Sequence, residues 1–414
     1  MGIIGAILLT LFLGDFLWWW RADRVLRRMR GGGPWRIPLG IFMAAQALGL
    51  GLVMLERRFD LGLDAVLTHQ WLTVVYLWHC LLLFPMLLLW IPYALARALV
   101  TGVRRVLESR AGPSAAPPAT GPHHLTRRDF ARLLGTALPA LTTVGAAAVA
   151  LWQIERFRIR RLTVALPDLP AALDGLTIAH VTDFHVGQFT RGAVLDRIVA
   201  ATNDLRADLI LFTGDLINFA LSDLDAGLAV VRRLHAPHGV FLCEGNHDLF
   251  EDAAAFRSRT RAAGLRLLVN ETAGVTIRGI AIQILGLRWG AASQHAHDPA
   301  SRGDAAIAGS MRALLGQLQP GAFPILLAHH PHAFDFAENI PLTLAGHTHG
   351  GQLMVTPGIG FGPLLYRYWS GLYRQGPRAL VVSNGTGNWF PLRTRAPAEI
   401  IHITLRRGEA ETPV

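Results

Sequence analysis

Four apolar stretches of bilayer-spanning length fall within the first 151 residues: Ile3 to Trp20, Ile37 to Leu55, Leu72 to Leu95 and Leu133 to Leu151. Each is close to the ~20 residues that a helix needs to cross the hydrocarbon of a membrane. A buried core helix would account for one such run but not for four in succession. Trp18, Trp19 and Trp20, with Trp71 and Trp90 further on, suit the interfacial belt of spanning helices. Asp15 is the acidic residue inside the first run. It is expected to reach the headgroup region or to pair with Arg21 rather than to mark a polar function.

The arginines orient these spans. Arg21, Arg24, Arg27, Arg28, Arg30 and Arg36 follow the first; Arg97, Arg104, Arg105, Arg110, Arg127, Arg128 and Arg132 separate the third from the fourth; Arg57 and Arg58 separate the second from the third. The excess of positive charge in cytoplasmic loops then puts everything after Leu151 outside, in the periplasm or at the cell exterior of a bacterial membrane. Arg156, Arg158, Arg160 and Arg161 pull the other way but are outnumbered. Ala111 to His124 reads as a Pro/Ala/Gly linker. The "TRRDFARLLG" after it resembles a twin-arginine export signal carried by Arg127, Arg128 and Phe130, the plainer reading being a cytoplasmic anchor of positive charge. The expected division is a membrane region with three helices (1–110), a linker with the arginine pair (111–130), a fourth spanning helix (131–154), a soluble domain (155–408) and a tail (409–414).

Composition narrows the class. Half of the chain is apolar (51%), and all 39 basic residues are Arg, which together suggest a membrane protein of biased base composition. The net charge of +10 is therefore no argument for nucleic-acid binding, because no basic run is interleaved with stacking aromatics. Cys80 and Cys243 are far apart and imply neither a disulfide framework nor a cysteine metal site.

From Phe157 onward the texture is that of a layered α/β domain. Short apolar runs (Leu176 to Val181, Leu209 to Phe212, Val240 to Cys243, Ile325 to Ala328, Leu342 to Ala345) alternate with helical stretches such as Arg191 to Asn203 and Leu224 to Leu234. Polar clusters follow them: "TDFH" (Thr182 to His185), "TGDL" (Thr213 to Leu216), "EGNHD" (Glu244 to Asp248), "AHHP" (Ala328 to Pro331) and "GHTHG" (Gly346 to Gly350). A strand ending at the last cluster would aim His347 and His349 the same way, since alternate residues share a face. Any one cluster is weak, because a Gly-Asp pair is most often a turn and a strand histidine is most often core. Five together, at strand ends that converge in space, offer oxygen and imidazole donors suited to two divalent ions.

In order and in full, these clusters match the D-x-H, G-D, G-N-H-[DE], lone His and G-H-x-H pattern of the calcineurin-like metallophosphoesterases. The resemblance runs from about Leu166 to Leu405; "LPDLPAALDGLTIAHVTD", "GGQLM", "SGLYR" and "PAEIIHITL" are similar to its membrane-anchored bacterial subset. It implies a four-layer αββα sandwich, preceded here by an all-helical region of four helices. The ligand set it implies is Asp183, His185 and His349 for a first ion, Asn246, His329 and His347 for a second, and Asp215 as the bridge. The ions would be manganese, iron or zinc. Hydroxide shared between them would be the nucleophile, with His247 as general acid on the leaving oxygen and Asp248 orienting it.

Other residues are less determined. His330 could replace His329 as ligand or reach the substrate; His332 is expected at the surface and His180 in the core. Asn384, Gly385 and Gly387 resemble the subset's Gly-rich loop, whose amides, with Arg393, would meet a phosphate; a plain turn is the equal alternative. The expected substrate is a lipid-linked or envelope phosphoester hydrolysed by a membrane-anchored phosphodiesterase. The alternatives are a UDP-2,3-diacylglucosamine-type pyrophosphatase and, from another class, a non-catalytic membrane binding module.

Overall fold

The structure is a computed structural model that describes residues 3–29, 32–59, 63, 67–108, 127–289 and 304–409. The chain forms two compact units, Met1–Leu151 and Trp152–Val414. The linker expected at 111–124 lies outside the described residues.

The first unit is helical: α1 (Ile3–Arg28), α2 (Arg36–Phe59), α3 (His69–Tyr76), a π-helical segment (Leu77–Leu83), α4 (Phe84–Glu108) and α5 (Arg127–Gln153), which closes it. Among the described residues three stretches are long and apolar enough to cross a membrane: Arg36–Glu56, His69–Arg104 and Leu134–Gln153. The other expected span, Ile3 to Trp20, lies within α1.

Asp15 does not pair with Arg21. It is buried, accepts a hydrogen bond from Trp78 Nε1 at 2.7 Å and meets His79 Nε2 at 3.0 Å. Arg21 instead lies over the Trp90 ring. A carboxylate facing lipid would lack donors, so it turns inward to partners on the π-helical segment. The wider turn of a π-helix shifts side-chain register locally and is frequent where such a group must be met.

Along the second unit the strands are β1 (Phe157–Leu166), β2 (Thr177–Val181), β3 (Leu209–Thr213), β4 (Val240–Cys243), β5 (Arg266–Leu267), β6 (Glu271–Ile277), β7 (Ile280–Gly286), β8 (Phe323–Leu327), β9 (Leu342–Ala345), β10 (Met354–Thr356), β11 (Ile359–Gly360), β12 (Gly371–Gln375), β13 (Arg378–Val382) and β14 (Ala398–Arg407). They form two six-stranded sheets, ordered β1-β14-β2-β3-β4-β5 and β12-β13-β9-β8-β7-β6, with β10 and β11 as a separate pair. Within them β2, β3, β4 and β5 run parallel, as do β7, β8, β9 and β13.

Alternation along each strand assigns residues to layers. In β3, Leu209 and Leu211 join Ile178, Ile284, Ile325 and Leu344 between the sheets. Ile210 and Phe212 face outward, against Ile198 of α6 (Ala193–Asp204), Leu228 of α7 (Leu224–Arg232) and Phe256 of α8 (Ala253–Ala262). On the far side Leu285 and Leu326 pack against Met311 and Leu314 of α9 (Asp304–Leu315). Helix, sheet, sheet and helix make the four layers expected from the sequence.

The arginines after the last span are part of this fold. Arg158 donates to the buried Glu399 at 2.7 Å, Arg160 lies 3.5 Å from the same carboxylate, and Arg156 stacks over Trp152. Arg158 and Arg160 neutralise a charge inside the strand pairing of β1 with β14, so their sign reports on the fold of that edge and weakly on topology.

Candidate metal centre

Parallel strands bring the polar clusters to one edge. Asp183 and His185 follow β2, Asp215 follows β3, Asn246, His247 and Asp248 follow β4, His329 follows β8, and His347 and His349 follow β9. Asp183, His185, Asp215, His329 and His349 are buried. Five of these residues have left-handed backbone: Asp183 (φ 53°), His185 (46°), Asp215 (57°), His347 (72°) and His349 (50°). L-residues adopt that region rarely, Asp and His less rarely than most. Here it folds the chain back over the strand end, so that side chains of successive loops point into one space.

His347 and His349 therefore differ from the expectation that one strand would aim both rings. β9 ends at Ala345, and the two histidines lie beyond it, each in its own left-handed turn. Glycines permit the close approach: a Cβ on Gly346 would strike Asp183 Oδ2, and one on Gly245 would strike Asp215 Oδ1.

Two donor groups share Asp183. Asp183, His185 and His349 form one, and Asp183, Asp215 and His329 the other; each could hold a metal ion. In the first, His349 Nε2 is 3.2 Å from Asp183 Oδ1 and 3.0 Å from His185 Nε2. In the second, His329 Nε2 is 3.1 Å from Asp215 Oδ2, and its Nδ1 donates to the Thr213 carbonyl at 2.6 Å. A ring nitrogen so occupied orients the other one inward, as the outer contacts of metal-binding histidines do. That Nε2 is buried and faces two carboxylates, Asp215 Oδ2 at 3.1 Å and Asp183 Oδ1 at 4.0 Å. Asn246 Oδ1 and His347 Nδ1 face each other at 2.9 Å.

Electrostatics favour a cation at this place. Burial opposes ionisation of Asp183 and Asp215, yet the surrounding histidines hold both carboxylates below their ordinary range. Burial also opposes charge on His329, yet Asp215 and Asp183 raise its pKa to about 9. A proton held that firmly between two carboxylates marks a place where positive charge is stabilised, and a donor set of carboxylate and imidazole fits divalent metal ions.

Further sequence expectations change at the centre. Asp248 does not orient His247: its Oδ2 accepts the amides of Asp215 and Gly245, and its Oδ1 that of Ile217. The group fixing His247 is the Asn218 carbonyl, 2.5 Å from Nδ1, while the ring lies against Phe219, Phe250 and Trp389. His247 also joins His185 and Asp215 in a third group that could hold a metal ion. Arg393 is buried: Nη1 donates to Asn384 O, Nη2 to Gly387 O, and Nη2 lies 2.9 Å from His349 Nδ1. It braces the loop and the ring instead of facing a phosphate. The loop amides are likewise used, Thr386 N on Thr182 O and Gly387 N on Asp183 O.

His330 lies outside the carboxylate cluster. Its Nδ1 accepts the His332 amide at 3.2 Å, and its ring is 5.1 Å from that of His347. His329 is the one that faces Asp215. His332 is half-buried beside Tyr368 rather than at the surface. His180 is in the core, Nε2 2.8 Å from Thr213 Oγ1. Trp289, 4.9 Å from His347 and 5.4 Å from His329, belongs to no sequence motif and is brought to the centre by the fold alone.

Residues 176–351 match the family model of the calcineurin-like phosphoesterases. The chain is similar to a metallophosphoesterase of Bacillus subtilis, 29% identical over 296 residues that cover 68% of this chain and 98% of that one. It is also similar to a transmembrane protein with a metallophosphoesterase domain from Danio rerio (30% over 260 residues, 59% of this chain and 56% of that one). A third relative is the UDP-2,3-diacylglucosamine pyrophosphatase of Chlamydia trachomatis (25% over 329 residues, 63% of this chain and 94% of that one). The chain spans little more than half the length of several curated relatives.

Proposed function

The chain belongs to the calcineurin-like phosphoesterases, hydrolases acting on phosphoester bonds, and on that premise we propose that it is a membrane-anchored phosphodiesterase using two divalent ions. The observation that carries this reading is the convergence of Asp183, His185, Asp215, His329 and His349 at the carboxyl ends of parallel strands from both sheets. Asp183, His185 and His349 would hold one ion and Asn246, His329 and His347 the other, with Asp215 available to both. When bound, such ions deprotonate water near neutral pH and stabilise charge on phosphoryl oxygens.

The chain's own groups do the rest. Thr213 O keeps the proton of His329 on Nδ1 and leaves Nε2 for a cation. Asn218 O does the same for His247, whose Nε2 is the atom that delivers a proton to the leaving oxygen. Burial lowers the His247 pKa to about 4 although Asp215 opposes it, so the ring is neutral at pH 7 in the free site and Nε2 needs the negative charge of a bound phosphoester to take up the proton it delivers.

The substrate of this reading is a lipid-linked or envelope phosphoester outside the cytoplasm, favoured by the Arg-rich loops preceding the last span. The Chlamydia trachomatis relative favours a second reading, a nucleotide-linked acylated sugar with a pyrophosphate bond, whose substrate is cytoplasmic. Hydrolysis of bis-nitrophenyl phosphate with added manganese tests the chemistry; a reporter fused after Gly408 tests the side. An exported reporter supports the first substrate and a cytoplasmic one the second, while no metal-dependent hydrolysis would leave the non-catalytic binding module.

A further inference from the structure

Three residues beyond His349 the chain leaves the sandwich as a small lobe: β10, a turn, β11 and α10 (Phe361–Leu365). The lobe is firmly built at its base. Met354 is buried and its amide donates to Thr394 O at 3.0 Å; Phe361 N donates to Leu353 O at 3.2 Å; Gly362 packs on Trp369. Its outer face is apolar: Val355, Ile359, Phe361, Leu364 and Leu365 are between 47% and 73% exposed. Large apolar groups clustered this way mark an interaction surface.

The lobe adjoins the metal centre. Tyr366, directly after α10, places its ring 5.9 Å from that of His347. Gln352, two residues before β10, donates to Leu392 O at 2.6 Å, which ties the lobe to the segment carrying the partly exposed Trp389, itself 6.3 Å from the His349 ring. Two exposed arginines flank the lobe, Arg367 after α10, which pairs with Asp335 at 3.2 Å, and Arg395 next to Thr394.

We propose that this lobe is a membrane-docking element, inserting Leu364, Leu365 and Ile359 among acyl chains so that a phosphoester at the lipid surface reaches the adjacent centre. The occupant is a bilayer for two reasons. Three stretches of the same chain are fit to span one, which keeps a bilayer at high effective concentration. Apolar tips with arginine and tryptophan at their margin complement acyl chains and anionic headgroups. The lipid-surface part rests on the phosphoesterase reading; the docking part does not.

The test uses full-length protein in nanodiscs of phosphatidylcholine and phosphatidylglycerol, with Cys80→Ser to remove the exposed thiol. Bimane on Leu364→Cys should be quenched by acyl-chain nitroxide lipid several-fold more than bimane on Ala262→Cys of α8. Equal quenching at both positions would overturn docking and leave the lobe to a protein contact. In parallel, Leu364→Glu should lower kcat/KM about tenfold for hexadecyl nitrophenyl phosphate embedded in the disc, and leave water-soluble bis-nitrophenyl phosphate unchanged. Equal effects on the two substrates would overturn delivery from the lipid surface. Wild-type protein inert toward bis-nitrophenyl phosphate would instead strike the reading of the centre, while the quenching still decides the lobe.

Discussion

Asp248 accepts the backbone amide of Asp215 at 3.0 Å, so a side chain from the loop after β4 holds the loop after β3 in place. The same carboxyl takes the amides of Gly245 and Ile217, and burial beside Asp215 raises its pKa to about 8. Asp248→Ala leaves three buried amides without an acceptor and should destabilise the fold by about 2–4 kcal/mol. Asp248→Asn keeps an oxygen for two of them and should cost about half as much. Denaturant unfolding of the full chain reads the difference; equal losses would show that the amides find other partners.

Metal content tests the bridge. Asp215→Asn removes a charge that faces His329 at 3.1 Å and His185 at 3.5 Å. Bound metal should fall by about half or more, and kcat by on the order of 100-fold or more. Elemental analysis alongside kinetics checks both, and wild-type metal with intact activity would remove Asp215 from the bridging role.

Leaving-group dependence tests His247. With Nδ1 held by Asn218 O, only Nε2 can serve the departing oxygen. His247→Ala should slow alkyl phosphoesters by about 10²–10⁴-fold and activated aryl esters much less. The comparison needs matched metal occupancy, because His247 also lies within ligand reach of Asp215 and His185. Equal losses on both substrates would make it a ligand or a brace.

Acid stability should depend on His180. Burial lowers its pKa to about 3 from the ordinary 6.5, with Asp183 opposing. As pH falls the unfolded chain takes this proton first, so the stability contributed by the neutral ring is complete above pH ~6.5. It is lost towards pH ~3 at up to about 1.4 kcal/mol per pH unit. His180→Gln should therefore show a smaller drop in unfolding midpoint between pH 7 and pH 5 than wild type. Identical drops would mean that other groups govern acid unfolding.

What could be read without coordinates was local. Asp183, His185, Asp215, Asn246, His329, His347 and His349 each sit within a few residues of an apolar run, and parallel strand ends bring such loops together. The layers followed from short apolar runs alternating with helical stretches. What stayed hidden was non-local: Trp78 and His79 meet Asp15 from 63 and 64 residues away, and Arg393 reaches His349 from 44. Such pairings leave no periodic trace in a single chain. His329 and His330 are neighbours, and only the ladder that hydrogen-bonds Ala328 to Leu344 decides which ring turns toward Asp215. The exposed lobe leaves no sequence signal because its apolar residues are too few and too scattered to resemble either a strand or a span.

The left-handed turns at Asp183, His185, Asp215, His347 and His349 bear on how this protein would evolve under selection for robustness alone. At each of them glycine fits the backbone with less strain than the residue present. The substitutions that relax the chain are thus those that erase a donor, and a screen for thermal tolerance without an activity readout would enrich sturdier, inert variants.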